Sequence, residues 1–143
     1  MNYEQSINYI HSIPKFRRPL GNANLEKLLT HLDNPQKKLK FIHIAGTNGK
    51  GSTAAMTAEI LKKSGFKTGL FTSPYLEVFN ERIRINGENI TDNDLAEYVT
   101  RVKAIMEENN ALVSEFAFIT AVSFLYFYEK QCDIVVLEVG MGG

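Results

Sequence analysis

The chain has 143 residues, of which 44% are hydrophobic and 22% charged, a composition typical of a globular domain with a hydrophobic core. Sixteen Lys and Arg residues balance sixteen Asp and Glu residues, so the net charge does not favour nucleic acid as a partner. A single cysteine, Cys132, excludes an internal disulfide. No secretory signal is visible, and the apolar run from Phe116 to Tyr128 is shorter than the roughly 20 residues that span a membrane. A cytoplasmic protein without a membrane partner is therefore expected.

The apolar pattern predicts helices and strands that alternate along the chain. Helices are expected over residues 2–12, from an N-cap at Asn24 to Leu32, from Ser52 to Ser64, from Thr91 to about Asn109 and from Glu115 to Lys130. Strands are expected over residues 40–45, from Lys67 to Thr72, from Arg82 to a hairpin turn at Asn86-Gly87, and from Asp133 to Val139. This alternation, with strands that are apolar throughout, indicates an α/β fold with a mostly parallel sheet flanked by helices.

Residues 41–53 predict a buried strand, a glycine-rich loop and the start of a helix. Such a loop turns several backbone N–H groups toward one anion, and the helix N-terminus adds unpaired donors. Lys50 supplies a positive charge for the outer phosphates of a nucleotide, and the hydroxyl of Ser52 or Thr53 can reach Mg²⁺. The usual P-loop has glycine where this chain has Ile44, and Ser or Thr where it has Gly51. The motif predicts an ATP site on a P-loop NTPase-like fold, and the alternative is a structural turn.

Ser73 and Glu138 come at the carboxyl ends of two predicted strands, where ligands collect in open α/β sheets. Mg²⁺ prefers oxygen ligands and keeps several waters, so one hydroxyl, one carboxylate and phosphate oxygens suffice to bind it. The alternatives are a turn residue before Pro74 and a carboxylate in a structural hydrogen bond. Arg82 and Arg84 alternate with isoleucines and are expected to share one strand face, where they contact an anion or face solvent.

Four blocks of sequence, in this order, resemble the folylpolyglutamate synthase/dihydrofolate synthase family of Mur-type ATP-dependent amide ligases. The blocks are residues 45–53 (AGTNGKGST), 70–74 (LFTSP), 79–87 (FNERIRING) and 136–143 (VLEVGMGG). The resemblance implies a Mur ligase central domain and an enzyme that phosphorylates a carboxylate of folate or dihydropteroate with ATP. The amine of L-glutamate then attacks the acyl phosphate. ATP and Mg²⁺ are the implied cofactors, and the complete enzyme is expected to be a monomer.

The resemblance also implies roles for individual residues. The ATP contacts map onto Thr47, Asn48, Gly49, Lys50, Gly51 and Ser52, with Lys50 as the catalytic residue, and the Mg²⁺ ligands map onto Ser73 and Glu138. The residues that contact the pterin side of the substrate map onto Leu20, Gly21 and Asn22 and onto Ser114, Glu115, Phe116 and Ala117. The family commonly has an acidic residue at the position of Ala117, so this chain departs from the pattern there.

The chain stops in a glycine-rich segment after a core strand, which suggests that residues 1–143 are the N-terminal part of the ATP-binding domain. By the resemblance, a histidine metal ligand, a modified lysine and the glutamate-binding domain lie beyond Gly143. The segment alone is therefore not expected to complete the ligation. Two other functions stay open: a P-loop kinase or generic NTPase, and a non-catalytic nucleotide-binding module. The choice between dihydrofolate synthase, folylpolyglutamate synthase or both also stays open.

Overall fold

The computed structural model describes residues 1–17, 21–45, 50–73 and 77–138. The helices are α1 (Tyr3–Ser12), α2 (Ala23–His31), α3 (Lys50–Lys63), α4 (Asp92–Glu108) and α5 (Glu115–Glu129), with 3₁₀ helices at Pro35–Lys38 and Phe79–Arg82. The strands are β1 (Phe41–Ile44), β2 (Thr68–Phe71), β3 (Ile83–Ile85), β4 (Glu88–Asn89) and β5 (Ile134–Glu138). The chain forms two compact units, Met1–Lys38 with Asp92–Tyr126 and Leu39–Thr91 with Phe127–Gly143. None of the helices in the described ranges is long and apolar enough to cross a membrane.

The first unit is helical. Its first helix, α1, begins at a capping box in which the Asn2 side chain accepts a hydrogen bond from the Gln5 N–H, and the Gln5 side chain accepts one from the Asn2 N–H. Helix α1 packs against α4, and the Tyr9 ring meets the edge of Phe118 with 5.5 Å between centroids. The core of this unit therefore lies between α1, α4 and the apolar first part of α5.

Helix α2 differs from the prediction at its start. It begins at Ala23, with Asn22 in the N-cap position, so the prediction that Asn24 caps it is wrong. The Asn24 side chain instead donates a hydrogen bond to the carbonyl oxygen of Leu112, 2.8 Å away. The Asn24 side chain therefore bonds a residue 88 positions away in the sequence instead of capping the nearby helix, as its spacing had predicted.

The second unit is built on a mixed sheet. The strand order is β1-β5-β2-β3-β4. Strands β1, β5 and β2 are parallel, β3 pairs antiparallel with β2, and β4 pairs antiparallel with β3. The predicted hairpin at Asn86-Gly87 is confirmed, and both residues have the positive φ that a tight two-residue turn requires. The α/β fold with helices against a sheet is therefore confirmed, and the hairpin makes one end of the sheet antiparallel.

Helix α3 covers one face of this sheet. Its Ala54 is fully buried against Leu70 of β2 and Val136 of β5, with Ile44, Ala58 and Leu61 packed around them. Side chains alternate along a strand, so Gly69 faces away from α3. The ring of Phe127, in the last part of α5, lies against Gly69. Both faces of β2 are thus covered within this unit.

Candidate functional site

Three neighbouring parallel strands end at the same edge of the sheet. In the pairing of β1 with β5, Ile44 lies opposite Glu138, and in the pairing of β2 with β5, Phe71 lies opposite Leu137. Ser73 follows two residues after Phe71, so the end of β2 lies beside Glu138. The carboxyl ends of parallel strands are where α/β proteins bind ligands. The structure therefore brings the two predicted metal ligands to the ends of adjacent strands.

The glycine-rich loop connects this same edge to α3. Strand β1 ends at Ile44, and α3 begins at Lys50, the predicted catalytic lysine. Gly51 and Ser52 lie in the first turn of α3, and the Ser52 side chain is exposed. Thr47, Asn48 and Gly49, which are predicted to contact ATP, lie outside the described residues. The loop thus joins the carboxyl end of β1 to the N-terminus of α3. At such a position in α/β proteins, backbone N–H groups bind phosphate.

Glu138 carries a carboxylate that is largely removed from water, with only 8% of the residue exposed. Within the described part of the chain, no hydrogen bond or ion pair to that carboxylate is found. A buried carboxylate without a partner is unfavourable, and a cation would relieve that cost. Oxygen ligands at the ends of β2 and β5 fit Mg²⁺ rather than a soft metal.

Protein side chains alone do not form a complete metal site in the described residues. No group of three or more His, Cys, Asp and Glu side chains that could hold a metal ion occurs there. Mg²⁺ does not need such a group, because it commonly takes one or two protein ligands and completes its octahedron with water and substrate phosphate oxygens. The donor set of Ser73 and Glu138 fits that kind of site.

Ser73 has a partner that the sequence did not reveal. The Arg82 guanidinium donates a hydrogen bond to Ser73 Oγ at 3.1 Å. The prediction that Arg82 shares a strand face with Arg84 is wrong, because Arg82 ends the 3₁₀ helix Phe79–Arg82 and β3 begins one residue later. The helical turn redirects its side chain, which is 9% exposed. The antiparallel pairing of β2 with β3, in which Phe71 lies opposite Ile83, brings Arg82 beside the end of β2 and hence to Ser73.

A separate cavity of about 350 Å³ lies in the helical unit. It is lined by five of the residues predicted to contact the pterin side of a substrate, namely Gly21, Asn22, Ser114, Phe116 and Ala117. Glu115 does not line it, and its backbone N–H instead donates to the carbonyl oxygen of Pro14. Leu20 lies outside the described residues. Two segments far apart in the sequence thus form one cavity wall.

The same cavity is lined by Lys15, Phe16 and Arg17, which are not among the predicted site residues. Phe16 is 83% exposed, an unusual environment for a phenylalanine. The Arg17 Nε is buried without a hydrogen-bond partner among the described residues. Aromatic rings beside cationic side chains suit a flat ring system that carries polar or acidic groups. The run Lys15-Phe16-Arg17, an aromatic residue between two basic ones, is the sequence signal that could have pointed to this part of the cavity.

Comparisons with known proteins give a consistent result. Folylpolyglutamate synthase of Lacticaseibacillus casei is 43% identical over 148 residues, which cover 100% of this chain and 35% of that protein. Dihydrofolate synthase/folylpolyglutamate synthase of Bacillus subtilis (strain 168) is 39% identical over 146 residues, covering 99% of this chain and 34% of that protein. A solved FPGS–AMPPCP–folate complex matches with a TM-score of 0.91 at 42% identity, over 98% of this chain and 35% of that one. No protein-family model matches the chain.

The fold is therefore of the Mur ligase type, with a mixed sheet and flanking helices. The resemblance to the folylpolyglutamate synthase/dihydrofolate synthase family that the four sequence blocks predicted is confirmed along the chain. The chain spans about a third of the length of the curated relatives it matches.

Proposed function

We propose that this chain supplies the ATP- and Mg²⁺-binding part of an amide ligase that joins L-glutamate to folate or dihydropteroate. The observation that carries the proposal is the match over 98% of the chain to an FPGS structure that contains AMPPCP, an ATP analogue, and folate. In this proposal residues 1–143 are the N-terminal part of the ATP-binding domain of a monomeric cytoplasmic enzyme.

The triphosphate of ATP binds at the carboxyl edge of β1, β5 and β2. Backbone N–H groups between Thr47 and Ser52 surround the phosphates, and the ammonium of Lys50 neutralises the outer ones. This assignment is supported by the position of Lys50 at the start of α3, the next element in the chain after the strand whose last residue pairs with Glu138. Lys50 is the residue that touches the reacting phosphoryl group.

Ser73 and Glu138 hold Mg²⁺ together with phosphate oxygens and water. When bound, Mg²⁺ neutralises charge that develops on the phosphates. The support is the donor chemistry described above: a buried carboxylate at the end of β5 that has no partner among the described residues, and a hydroxyl at the end of the adjacent strand β2.

The reaction proceeds through an acyl phosphate. A substrate carboxylate oxygen attacks the γ-phosphorus of ATP, and ADP leaves. The amine of L-glutamate then attacks the acyl carbon, the amide forms, inorganic phosphate leaves, and the amine loses a proton. Because the first step needs mainly positioning and charge neutralisation, the N–H groups of the loop and Lys50 match what it requires.

The cavity of the helical unit binds the pterin side of the substrate. Phe16 and Phe116 offer ring faces for a flat heterocycle, and the Nε of Arg17, which has no hydrogen-bond partner within the described ranges, offers a donor. The side-chain amide of Asn22 and the Oδ1 of Asn24, whose Nδ2 donates to the Leu112 carbonyl oxygen, offer further polar groups at the wall.

Calorimetric titration of ATP with and without Mg²⁺ tests the nucleotide site. Lys50→Ala should weaken Mg-ATP binding at least about tenfold, since it removes the positive charge that is proposed to contact the phosphates. Glu138→Gln should abolish the advantage that Mg²⁺ gives to ATP binding. Lys62→Ala is the matched control, because Lys62 lies in the last turn of the same helix. Equal affinity of wild type and Lys50→Ala would overturn the assignment.

Product analysis with the complete enzyme tests the reaction class. ADP release that requires both L-glutamate and folate or dihydropteroate identifies the ligase. Phosphate transfer to a hydroxyl substrate in the absence of glutamate would identify a kinase instead.

A further inference from the structure

We propose that Arg82 is a positioning residue for Ser73, holding its hydroxyl at the end of β2 in the orientation that coordinates Mg²⁺. This inference rests on the proposed function, which assigns Ser73 to the metal. Arg82 itself acts through Ser73 and need not touch ATP or substrate.

The contacts tie Arg82 to the end of β2 at several points. The Arg82 guanidinium donates to Ser73 Oγ at 3.1 Å and to the Thr72 carbonyl oxygen at 3.4 Å. In return, the Thr72 N–H donates to the Arg82 carbonyl oxygen at 2.9 Å. Thr72 and the proposed metal ligand Ser73 are thus both bonded to Arg82, Thr72 through the backbone and side chain of the arginine and Ser73 through the side chain.

The orientation of the Arg82 guanidinium is itself restricted. Its central carbon lies 5.9 Å from the ring centroid of Phe71 and 5.4 Å from that of Phe79. Both rings are buried, with 4% of each residue exposed. Aromatic contacts on a planar cation fix the direction of its N–H groups, which a flexible ammonium could not reproduce.

The hydrogen bond has a direct consequence for the Ser73 hydroxyl. A serine oxygen has two lone pairs and one proton, and a free hydroxyl side chain samples several rotamers. A guanidinium N–H that donates to one lone pair selects the rotamer and leaves the second lone pair for a cation. Ser73 is then oriented before the metal arrives, which lowers the cost of binding it.

A charge argument makes the opposite prediction, which is why the idea can be tested. The positive charge of Arg82 beside Ser73 repels Mg²⁺, so removing it should strengthen metal binding if charge dominates. If orientation dominates, removing Arg82 should weaken metal binding. The sign of the change therefore separates the two effects.

The experiment measures the Mg²⁺ concentration that gives half-maximal activity in the complete enzyme, for Arg82→Gln, Arg82→Lys, Ser73→Ala and the double variant Arg82→Gln/Ser73→Ala. Arg82→Gln and Arg82→Lys should each raise it about tenfold, while the KM for the folate substrate stays unchanged. Arg82→Gln should add little in the Ser73→Ala background. Arg84→Gln is the matched control, since Arg84 lies on the neighbouring strand β3, opposite Leu70.

Thermal unfolding of the metal-free variants gives a readout that is independent of activity. Arg82→Lys keeps the charge and most of the aliphatic part of the side chain, so it replaces Arg82→Gln in the experiment if that variant does not fold. A lower Mg²⁺ requirement in Arg82→Gln, or equal effects of Arg82→Gln in both Ser73 backgrounds, would overturn the inference while leaving the proposed metal site intact. An unchanged Mg²⁺ requirement in Ser73→Ala would overturn the metal assignment as well.

Discussion

The ring of Phe127 lies directly against Gly69, and a Cβ on Gly69 would be 2.8 Å from Cδ1 and 2.9 Å from Cε1 of that ring. Phe127 is fully buried, so its ring cannot move away from Gly69 without disturbing the core around it. Gly69 pairs with Val135 on one side and Ile85 on the other, at the centre of the sheet. Glycine at this position allows the end of α5 to approach β2 more closely than any side chain would permit.

Gly69→Ala should lower the free energy of unfolding by about 1–3 kcal/mol, because the added methyl group overpacks a buried contact. Urea denaturation monitored by circular dichroism measures this change. The substitution Phe127→Leu relieves the contact, so Gly69→Ala should cost less in that background. The same cost in both backgrounds would show that the Phe127 ring is not the cause.

Asn86 combines two roles at the hairpin turn. It has a φ of 51°, and its Oδ1 accepts a hydrogen bond from the Thr68 N–H at 3.0 Å. Asn86→Ala should destabilise the protein by about 1–2 kcal/mol, because alanine tolerates the left-handed region poorly and cannot accept the bond. Asn86→Gly removes only the hydrogen bond and should cost less. Equal losses in the two variants would exclude a contribution from the backbone conformation.

Cys132 should make stability depend on pH in the alkaline range. Burial raises the pKa of its thiol from 9.0 to about 11; the nearby Lys67 charge lowers it and Asp133 raises it. The unfolded thiol therefore ionises at lower pH than the folded one. The stability that the neutral, buried Cys132 thiol contributes is complete below about pH 9 and is lost as the pH rises toward 11. Denaturation between pH 8 and pH 11 should show a steeper loss in wild type than in Cys132→Ala, and parallel curves would refute this.

Ala117 offers a test of the cavity in the helical unit. Ala117→Met places a longer side chain at the wall and should weaken dihydropteroate or folate binding about tenfold, measured by calorimetry. Mg-ATP binding should not change. Glu115→Gln is the control, because Glu115 does not line the cavity. Unchanged affinity in Ala117→Met would exclude this cavity as the pterin site.

The elements that local patterns predicted well are those whose residues carry their own signals. Strand β5 is a continuous apolar run that ends at Glu138, and the turn at Asn86-Gly87 uses the two residue types that most readily adopt positive φ. Helix α3 starts near the glycines that precede it. In these cases the preference of a few neighbouring residues agrees with the tertiary structure.

Two assignments failed because the spacing of residues along the chain does not reveal the hydrogen-bond partner of a polar side chain. Asn24 was expected to cap α2, yet its amide bonds Leu112. Arg82 was expected on a strand face, yet a 3₁₀ turn directs it to Ser73 on the neighbouring strand. A polar side chain can satisfy its hydrogen bonds locally or at a distance, and spacing along the chain cannot distinguish these outcomes.

The amino-acid sequence by itself determined the α/β class, the positions of most helices and strands, and the resemblance of four blocks to the folylpolyglutamate synthase/dihydrofolate synthase family, because these depend on the order and chemistry of nearby residues. The tertiary structure alone decided the strand order β1-β5-β2-β3-β4, the neighbouring positions of Glu138 and the end of β2, and the contact of Arg82 with Ser73. Those features depend on which segments pair in the sheet and bury their apolar surfaces together, and that choice is made by the packing of the chain and not by the preferences of neighbouring residues.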